Sequence, residues 1–196
     1  VSGYEYTKDW FHWAPEVWTH LATLLPARQR FLEIGSFEGR SAVWTIENMM
    51  DADAELVCVD TWEGGEEHTN GEMLGAEALF DRNIGRAKTT NPVVVTKIKE
   101  TSYTALTALA GQSNFDFVYI DGSHIARDVL LDACLAWPLL KDGGVLVFDD
   151  YLWGPARDIL HRPKVAVDAF VNTYAEELEI VHCGYQLAVR KLPRTP

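Results

Sequence analysis

Basic residues are scarce in this chain of 196: 17 lysines and arginines stand against 29 aspartates and glutamates, a formal charge of −12. Such a field repels phosphate backbones and anionic lipids, so neither nucleic acid nor a membrane is expected as a partner. A small neutral or cationic molecule suits the charge better. Cysteine is scarce too. Cys58, Cys134 and Cys183 lie far apart in apolar contexts, with no CxxC pair. They read as small buried hydrophobes in a reducing compartment. No apolar run approaches the roughly 20 residues of a membrane-spanning helix, and no basic-plus-apolar leader opens the sequence. A cytoplasmic protein is expected. Internal repeats and low-complexity linkers are missing as well. With 47% hydrophobic residues, the length suits one domain with a substantial core.

What is present is alternation. Short apolar runs, RFLEIG (30–35), ELVCVD (55–60), PVVVTKI (92–98), FDFVYID (115–121) and GGVLVFDD (143–150), mostly end on glycine or an acid. They suit buried parallel strands. Helical segments are predicted between them, over 41–50, 75–87, 102–110 and 125–140. In the last, Val129, Leu130, Ala133, Cys134 and Trp137 form an apolar stripe that Pro138 closes. This order predicts an α/β fold, a Rossmann-like doubly wound sheet with right-handed crossovers. After a helix in KVAVDAFVNTY, the tail reads as two strands joined near Gly184, a hairpin that places an antiparallel strand in a mostly parallel sheet.

The N-terminal 1–29 carries Trp10, Trp13 and Trp18 within a short space. It is expected to be an aromatic-rich helical cover over a domain at 30–196, and either a lid or a dimer face is the alternative. An exposed aromatic surface there raises the expectation of a homodimer.

FLEIGSFEGRSAVW (31–44) joins the first strand to its helix. Ligands of open α/β sheets sit beyond the carboxyl ends of such strands, where glycines allow close approach and a helix begins. A dinucleotide fingerprint reads GxGxxG. Here the spacing is ExGxxxG, with Glu38 in the loop, where a pyrophosphate would meet a negative charge. NAD and nucleotide-sugars are therefore disfavoured against a ligand carrying an amine or sulfonium.

LEIGSFEGRS resembles motif I of the class I S-adenosylmethionine-dependent methyltransferases, above all the catechol O-methyltransferase type. The terminal hairpin agrees with the seven-stranded sheet that this resemblance implies. It implies that Glu33, Gly35, Ser36, Phe37, Gly39 and Ser41 bind S-adenosyl-L-methionine. Asp60, with Thr61 and Trp62 beside it, would hold the ribose, and Ser102 and Tyr103 would meet the adenine. Capping the following loop is the alternative for Asp60, and capping a helix is the alternative for Ser102.

Asp121 ends one strand, and Asp149 and Asp150 end the next. Neighbouring strands lie about 4.8 Å apart, so three carboxylates converge if these two are adjacent. Like charges so close either raise a pKa or hold a cation. Oxygen-only ligands favour a hard ion, Mg²⁺ first. The alternative is that these acids cap helices and turns. His124, three residues past Asp121, is placed to take a proton from an acceptor hydroxyl.

IDGSH with WPLLKDGGVLVFDDY resembles a bacterial branch of metal-dependent O-methyltransferases that act on sugars and natural products. That resemblance implies Asp121, Asp149 and Asp150 as metal ligands, His124 as base, and Asp121 as both a catalytic and a cofactor contact. It departs from the catechol type in having His124 where that type has lysine, and Asp150 where it has asparagine. Glu100 is a further candidate ligand, and Glu66, Glu67 and His68 are another acidic patch, read as a solvated lid. The expected function is metal-assisted methyl transfer from S-adenosylmethionine to a hydroxyl of a small molecule, a sugar among the candidates. A metal-independent N- or O-methyltransferase and a non-catalytic S-adenosylmethionine-binding module are the alternatives.

Overall fold

The computed structural model describes residues 3–65, 68, 71, 73–112, 114–154 and 157–193. Helix α1 (Ala14–Ala22) precedes an alternating core: β1 (Arg30–Ile34), α2 (Arg40–Asn48), β2 (Glu55–Asp60), α3 (Ala76–Thr90), β3 (Val94–Lys99) and α4 (Ser102–Ala108). Then come β4 (Phe115–Ile120), α5 (Ala126–Ala136), β5 (Leu140–Phe148), α6 (Lys164–Thr173) and the hairpin β6 (Leu178–Cys183) and β7 (Leu187–Lys191). The seven strands run in the order β3-β2-β1-β4-β5-β7-β6. All pairings from β3 to β5 are parallel, and β7 lies antiparallel to both β5 and β6. The seven-stranded sheet is therefore mostly parallel, with the hairpin supplying the exception.

Strand periodicity divides the core. Leu32, Val118, Ile120, Leu146 and Phe148 face α4, α5 and α6, packing with Ala105, Val129, Ala133 and Phe170. Phe31, Phe117, Tyr119, Val145 and Val147 face α1, α2 and α3, packing with Trp18, Ile46 and Phe80. Successive side chains alternate between faces, so each strand feeds both cores. Trp18 is fully buried against Phe11, Trp44, Phe117 and Tyr119, with its indole N–H donated to Gln186 at 2.8 Å. Burying a side chain of this size contributes about 3 kcal/mol.

Several expectations are revised. Cys58 is buried, but Cys134 and Cys183 are exposed. Cys134 falls on the solvent side of α5, whose buried stripe runs through Val129, Ala133 and Ala136 instead. The helix predicted to reach residue 140 stops at Ala136. Pro138 sits in a 3-10 turn, Trp137–Leu139, and Leu140 already begins β5, since proline removes the N–H that would continue the α-helical ladder. β3 is an edge strand, with Val94 56% exposed, not a fully buried one. Of the N-terminal tryptophans, Trp18 is internal and Trp13 half-buried, while Trp10 is exposed. No helix among the described residues is long and apolar enough to cross a membrane.

Candidate active site

Helices from β1 and β2 pass to one face of the sheet, and those from β3, β4 and β5 to the other. The crevice this reversal opens lies beyond the carboxyl ends of β1 and β4. A cavity of about 680 Å³ occupies it. Its walls include residues from the N-terminal segment, from the loop after β2 and from the loop after β5.

Gly35, Ser36, Phe37, Ser41, Asp60, Thr61, Glu100 and Ser102 all line the cavity. Asp60 is held by backbone N–H groups: Ser36 and Phe37 donate to Oδ2 at 2.8 Å each, and Trp62 donates to Oδ1 at 2.7 Å. It fixes both the β1–α2 loop and the loop after β2, the role set as the alternative to ribose binding, while still bordering the cavity. Gly35, at φ +85°, is required chiefly by the protein itself, because a Cβ there would collide with the Asp121 carbonyl. Gly39 caps α2 at φ +77°, where a Cβ would press on Phe80. Their positive φ suits glycine.

Glu33, Trp62 and Tyr103 are not on the cavity wall. Glu33 is 2% exposed beneath the loop. Burial pushes its carboxyl up to about 8, against the lowering influence of the Ser36 and Ser41 hydroxyls. Trp62 turns at φ +54° into the core, packs on Phe80 and donates its indole N–H to the Phe37 carbonyl at 2.7 Å. It braces the β1–α2 loop from behind and does not border the cavity. Tyr103 is 57% exposed. Thr101 takes the capping role once weighed for Ser102, accepting from Thr104 N, which leaves Ser102 on the cavity. Glu66 and Glu67 lie outside the described residues, and His68 borders the cavity.

At the other end of the cavity stand Asp121, His124, Asp149 and Asp150. None of the three aspartates caps a helix. α5 begins after Ser123, whose hydroxyl accepts from Ile125 N, and α6 starts only at Lys164. Burial, then the neighbouring charges of Asp149 and Asp150, hold the Asp121 carboxyl well above its usual range. Burial and Asp150 raise Asp149 as well. The buried Tyr119 hydroxyl touches both, at 2.9 Å from Asp121 Oδ2 and closer still to Asp149 Oδ2. One hydroxyl has one proton to donate. Two charged carboxylates on it need a further proton or a cation.

Asp150 has partners of its own. At φ +55° it points one oxygen to His124 Nε2 at 2.5 Å and accepts from the Tyr185 hydroxyl at 2.7 Å on the other. The His124 ring stacks on Trp153, with centroids 4.2 Å apart. Among the described residues, no group of three or more His, Cys, Asp or Glu side chains is disposed to hold a metal ion. The carboxylates that do converge are Asp121 and Asp149, through the Tyr119 hydroxyl.

Tyr119, Tyr185 and Trp153 are cavity residues that the sequence reading passed over. Tyr119 had a usable signal, because two residues before Asp121 on one strand places it on the same face. Phe37, Trp62 and Asp150, three of the positive-φ non-glycine residues, all follow carboxyl ends of parallel strands. Of these, Phe37 and Asp150 border the cavity, whereas Trp62 turns into the core.

The sequence pattern of the family described as "Methyltransferase domain" matches residues 32–151. No curated protein is similar to the chain in sequence. Among solved structures, the fold resembles the O-methyltransferase TomG of Streptomyces achromogenes, involved in tomaymycin synthesis and bound to S-adenosylmethionine. The TM-score is 0.66 at 20% identity, over 91% of this chain and 79% of that one. It also resembles a Bacillus cereus O-methyltransferase bound to S-adenosylhomocysteine, with TM-score 0.61 and 18% identity over 90% and 78% of the two chains. The calicheamicin methyltransferase CalS11 is similar at TM-score 0.56 and 14% identity, over 90% and 76%.

Proposed function

This chain belongs to the Methyltransferase domain family; from that premise we propose that it is a class I S-adenosylmethionine-dependent methyltransferase whose acceptor is a hydroxyl on a small natural product or sugar. The observation that carries the proposal is the His124–Asp150 pair, set in the same cavity as Asp60 and Ser102. S-adenosylmethionine supplies an electrophilic methyl on a sulfonium, whose positive charge suits a cavity rich in carboxylates. Asp60 and Ser102 would hold its nucleoside, and Ser36 and Ser41 its amino-acid end, and it would leave as S-adenosylhomocysteine. His124 takes the acceptor's proton, and Asp150 stabilises the imidazolium that forms. Placing the acceptor oxygen in line with the methyl then does most of the rest. TomG and CalS11 are, by their names, enzymes of natural-product synthesis, which supports that class of acceptor. Residues 1–29 serve as cover for the domain at 30–196.

A divalent metal, Mg²⁺ first, fits the same reading. Asp121 and Asp149 would hold it, with Asp150 as a further oxygen, and it would lower the acceptor hydroxyl's pKa. The shortage of protons around the Tyr119 hydroxyl would be met by such a cation, or by a proton held on one of the two carboxyls. A second reading is favoured by the commitment of Asp150 to His124, namely proton removal by that pair alone with no metal.

A methyl-transfer assay over an acceptor library, with and without EDTA, tests both. Metal assistance predicts at least a tenfold loss in chelator, restored by Mg²⁺, and full activity in EDTA selects the second reading. His124→Ala is expected to lower kcat by about 10²–10⁴ while leaving S-adenosylhomocysteine affinity unchanged. Binding of S-adenosylhomocysteine with no turnover of any acceptor would leave a binding module instead.

A further inference from the structure

Residues 3–13 contain no strand and no helical turn before 14, yet they are fastened at nearly every position. The Tyr4 hydroxyl donates to Glu47 of α2, and Arg40 pairs with Asp9 at 2.9 Å while lying over the Tyr6 ring. Two buried polar side chains make the central fastening. Glu38, 2% exposed, accepts from the Thr7 backbone N–H at 2.7 Å and from the Thr7 hydroxyl at 2.6 Å, one on each oxygen. Asn83, 3% exposed, accepts from Glu5 N and donates to both Glu5 O and Glu38 O. Asn83 thus bridges the segment and the cofactor loop with one amide.

We propose that Glu38 and Asn83 are positioning residues that latch the N-terminal segment onto the cofactor loop, so that cofactor binding and closure of the cavity wall are coupled. This rests on the reading that the loop at 35–39 receives S-adenosylmethionine. The segment brings Lys8, Trp10, Phe11 and Trp13 to the cavity, and Trp10 stacks on Phe37 of the loop with centroids 5.2 Å apart. Among the described residues no basic side chain pairs with Glu38, so the bonds from Thr7 are what compensate its buried charge. When the segment leaves, Glu38 must turn out to water or remain buried without them. Either course disturbs a loop in which Gly35, Phe37 and Gly39 all hold positive φ. An occupant that needs the loop in this shape therefore favours the seated segment, and by linkage the seated segment favours the occupant.

Calorimetric titration with S-adenosylhomocysteine, together with hydrogen exchange over residues 4–10, tests the latch. In the wild type, ligand is expected to slow exchange across that stretch. Glu38→Ala is expected to weaken binding on the order of tenfold and to abolish the added protection, since it removes both acceptors. Glu38→Gln, whose amide reaches the same two Thr7 groups, is expected to stay within about threefold of wild type. Thr7→Val, which alters an exposed residue and keeps the fold should Glu38→Ala lose it, is expected to weaken binding about threefold. Wild-type affinity in both Glu38→Ala and Thr7→Val, with residues 4–10 still protected, would overturn the latch while leaving the methyltransferase reading intact. Failure of the wild type to bind S-adenosylhomocysteine would overturn that reading, and the latch with it.

Discussion

Strand β4 carries an aspartate near each end, Asp116 within it and Asp121 directly after it, and the two ends are built in opposite ways. At the amino end Asp116, wholly buried, accepts from Gln29 N and Arg30 N at 3.0 Å each and pairs with Lys141 at 2.6 Å. Every charge there has its counterpart. At the carboxyl end Asp121 and Asp149 crowd one tyrosine hydroxyl, and among the described residues no basic side chain pairs with either. On β4 the same residue type thus serves as a fastener at one end and, with Asp149 after β5, as part of an acidic rim at the other. Stability is concentrated at the satisfied end. At the other end the acids lack such an offset among the described residues, and the proposed chemistry is placed there because a ligand could recover part of what that burial costs.

The sharpest test exchanges the two ends. Asp121→Asn and Asp149→Asn are each expected to reduce turnover by at least about a hundredfold. Their melting temperatures should equal or exceed that of the wild type near neutral pH, because each removes like-charge repulsion. Asp116→Asn should do the reverse. Removing one partner of a buried pair costs about 3 kcal/mol, while turnover of the folded fraction stays at the wild-type level. Thermal melts alongside the transfer assay read both. Loss of stability from Asp121→Asn, with turnover retained, would erase the distinction between the ends.

Glu33 extends the comparison to β1, whose carboxyl end also buries an acid. Its pKa rises from the ordinary 4.5 to about 8 in the folded chain. Below 4.5 both folded and unfolded states hold the proton. Between 4.5 and 8 the unfolded chain has released a proton that the folded chain keeps, so stability falls as pH climbs through this window. Asp121 and Asp149 add to the same slope. A melting temperature that declines from pH 5 to pH 8 is expected, and Glu33→Gln, which does not titrate, should flatten it by the equivalent of a few kcal/mol at most. An unchanged slope in that variant would mean Glu33 is ionised in place.

Most of the architecture was legible because it is written in periodicity. The apolar runs, the acids ending them and the tail hairpin each follow from one rule applied locally. Asp121, Asp149 and Asp150 could be placed on one rim because strand adjacency follows from topology. What the sequence did not carry is direction. Nothing local says that Asp150 turns left-handed towards His124 while Asp149 stays with Tyr119, or that Trp62 folds inward beneath Phe37. Glu38 was legible as a charge in the loop, but its partner Thr7 is 31 residues away in a segment with no periodic pattern. Cys134 failed for a related reason. A helical stripe is wide enough that its margin residues face core or solvent according to the neighbouring helix.

The smallest expected effect lies at the start of α4, where adjacent residues separate cleanly. Ser102 borders the cavity near Asp132, a carboxyl that burial lifts to about 6 against the lowering influence of that serine. Tyr103, next in the chain, points to solvent. A helix turns about 100° per residue, so one of two neighbours can meet a ligand while the other does not. Ser102→Ala is expected to weaken S-adenosylhomocysteine binding about threefold, the worth of one hydrogen bond exchanged with water. Tyr103→Ala should leave binding within error of the wild type, since no wall of the cavity is lost. A calorimetric titration of the two variants reads the difference directly. Weaker binding from Tyr103→Ala than from Ser102→Ala would place the adenine against the outer face of α4, and so outside the crevice between β1 and β4.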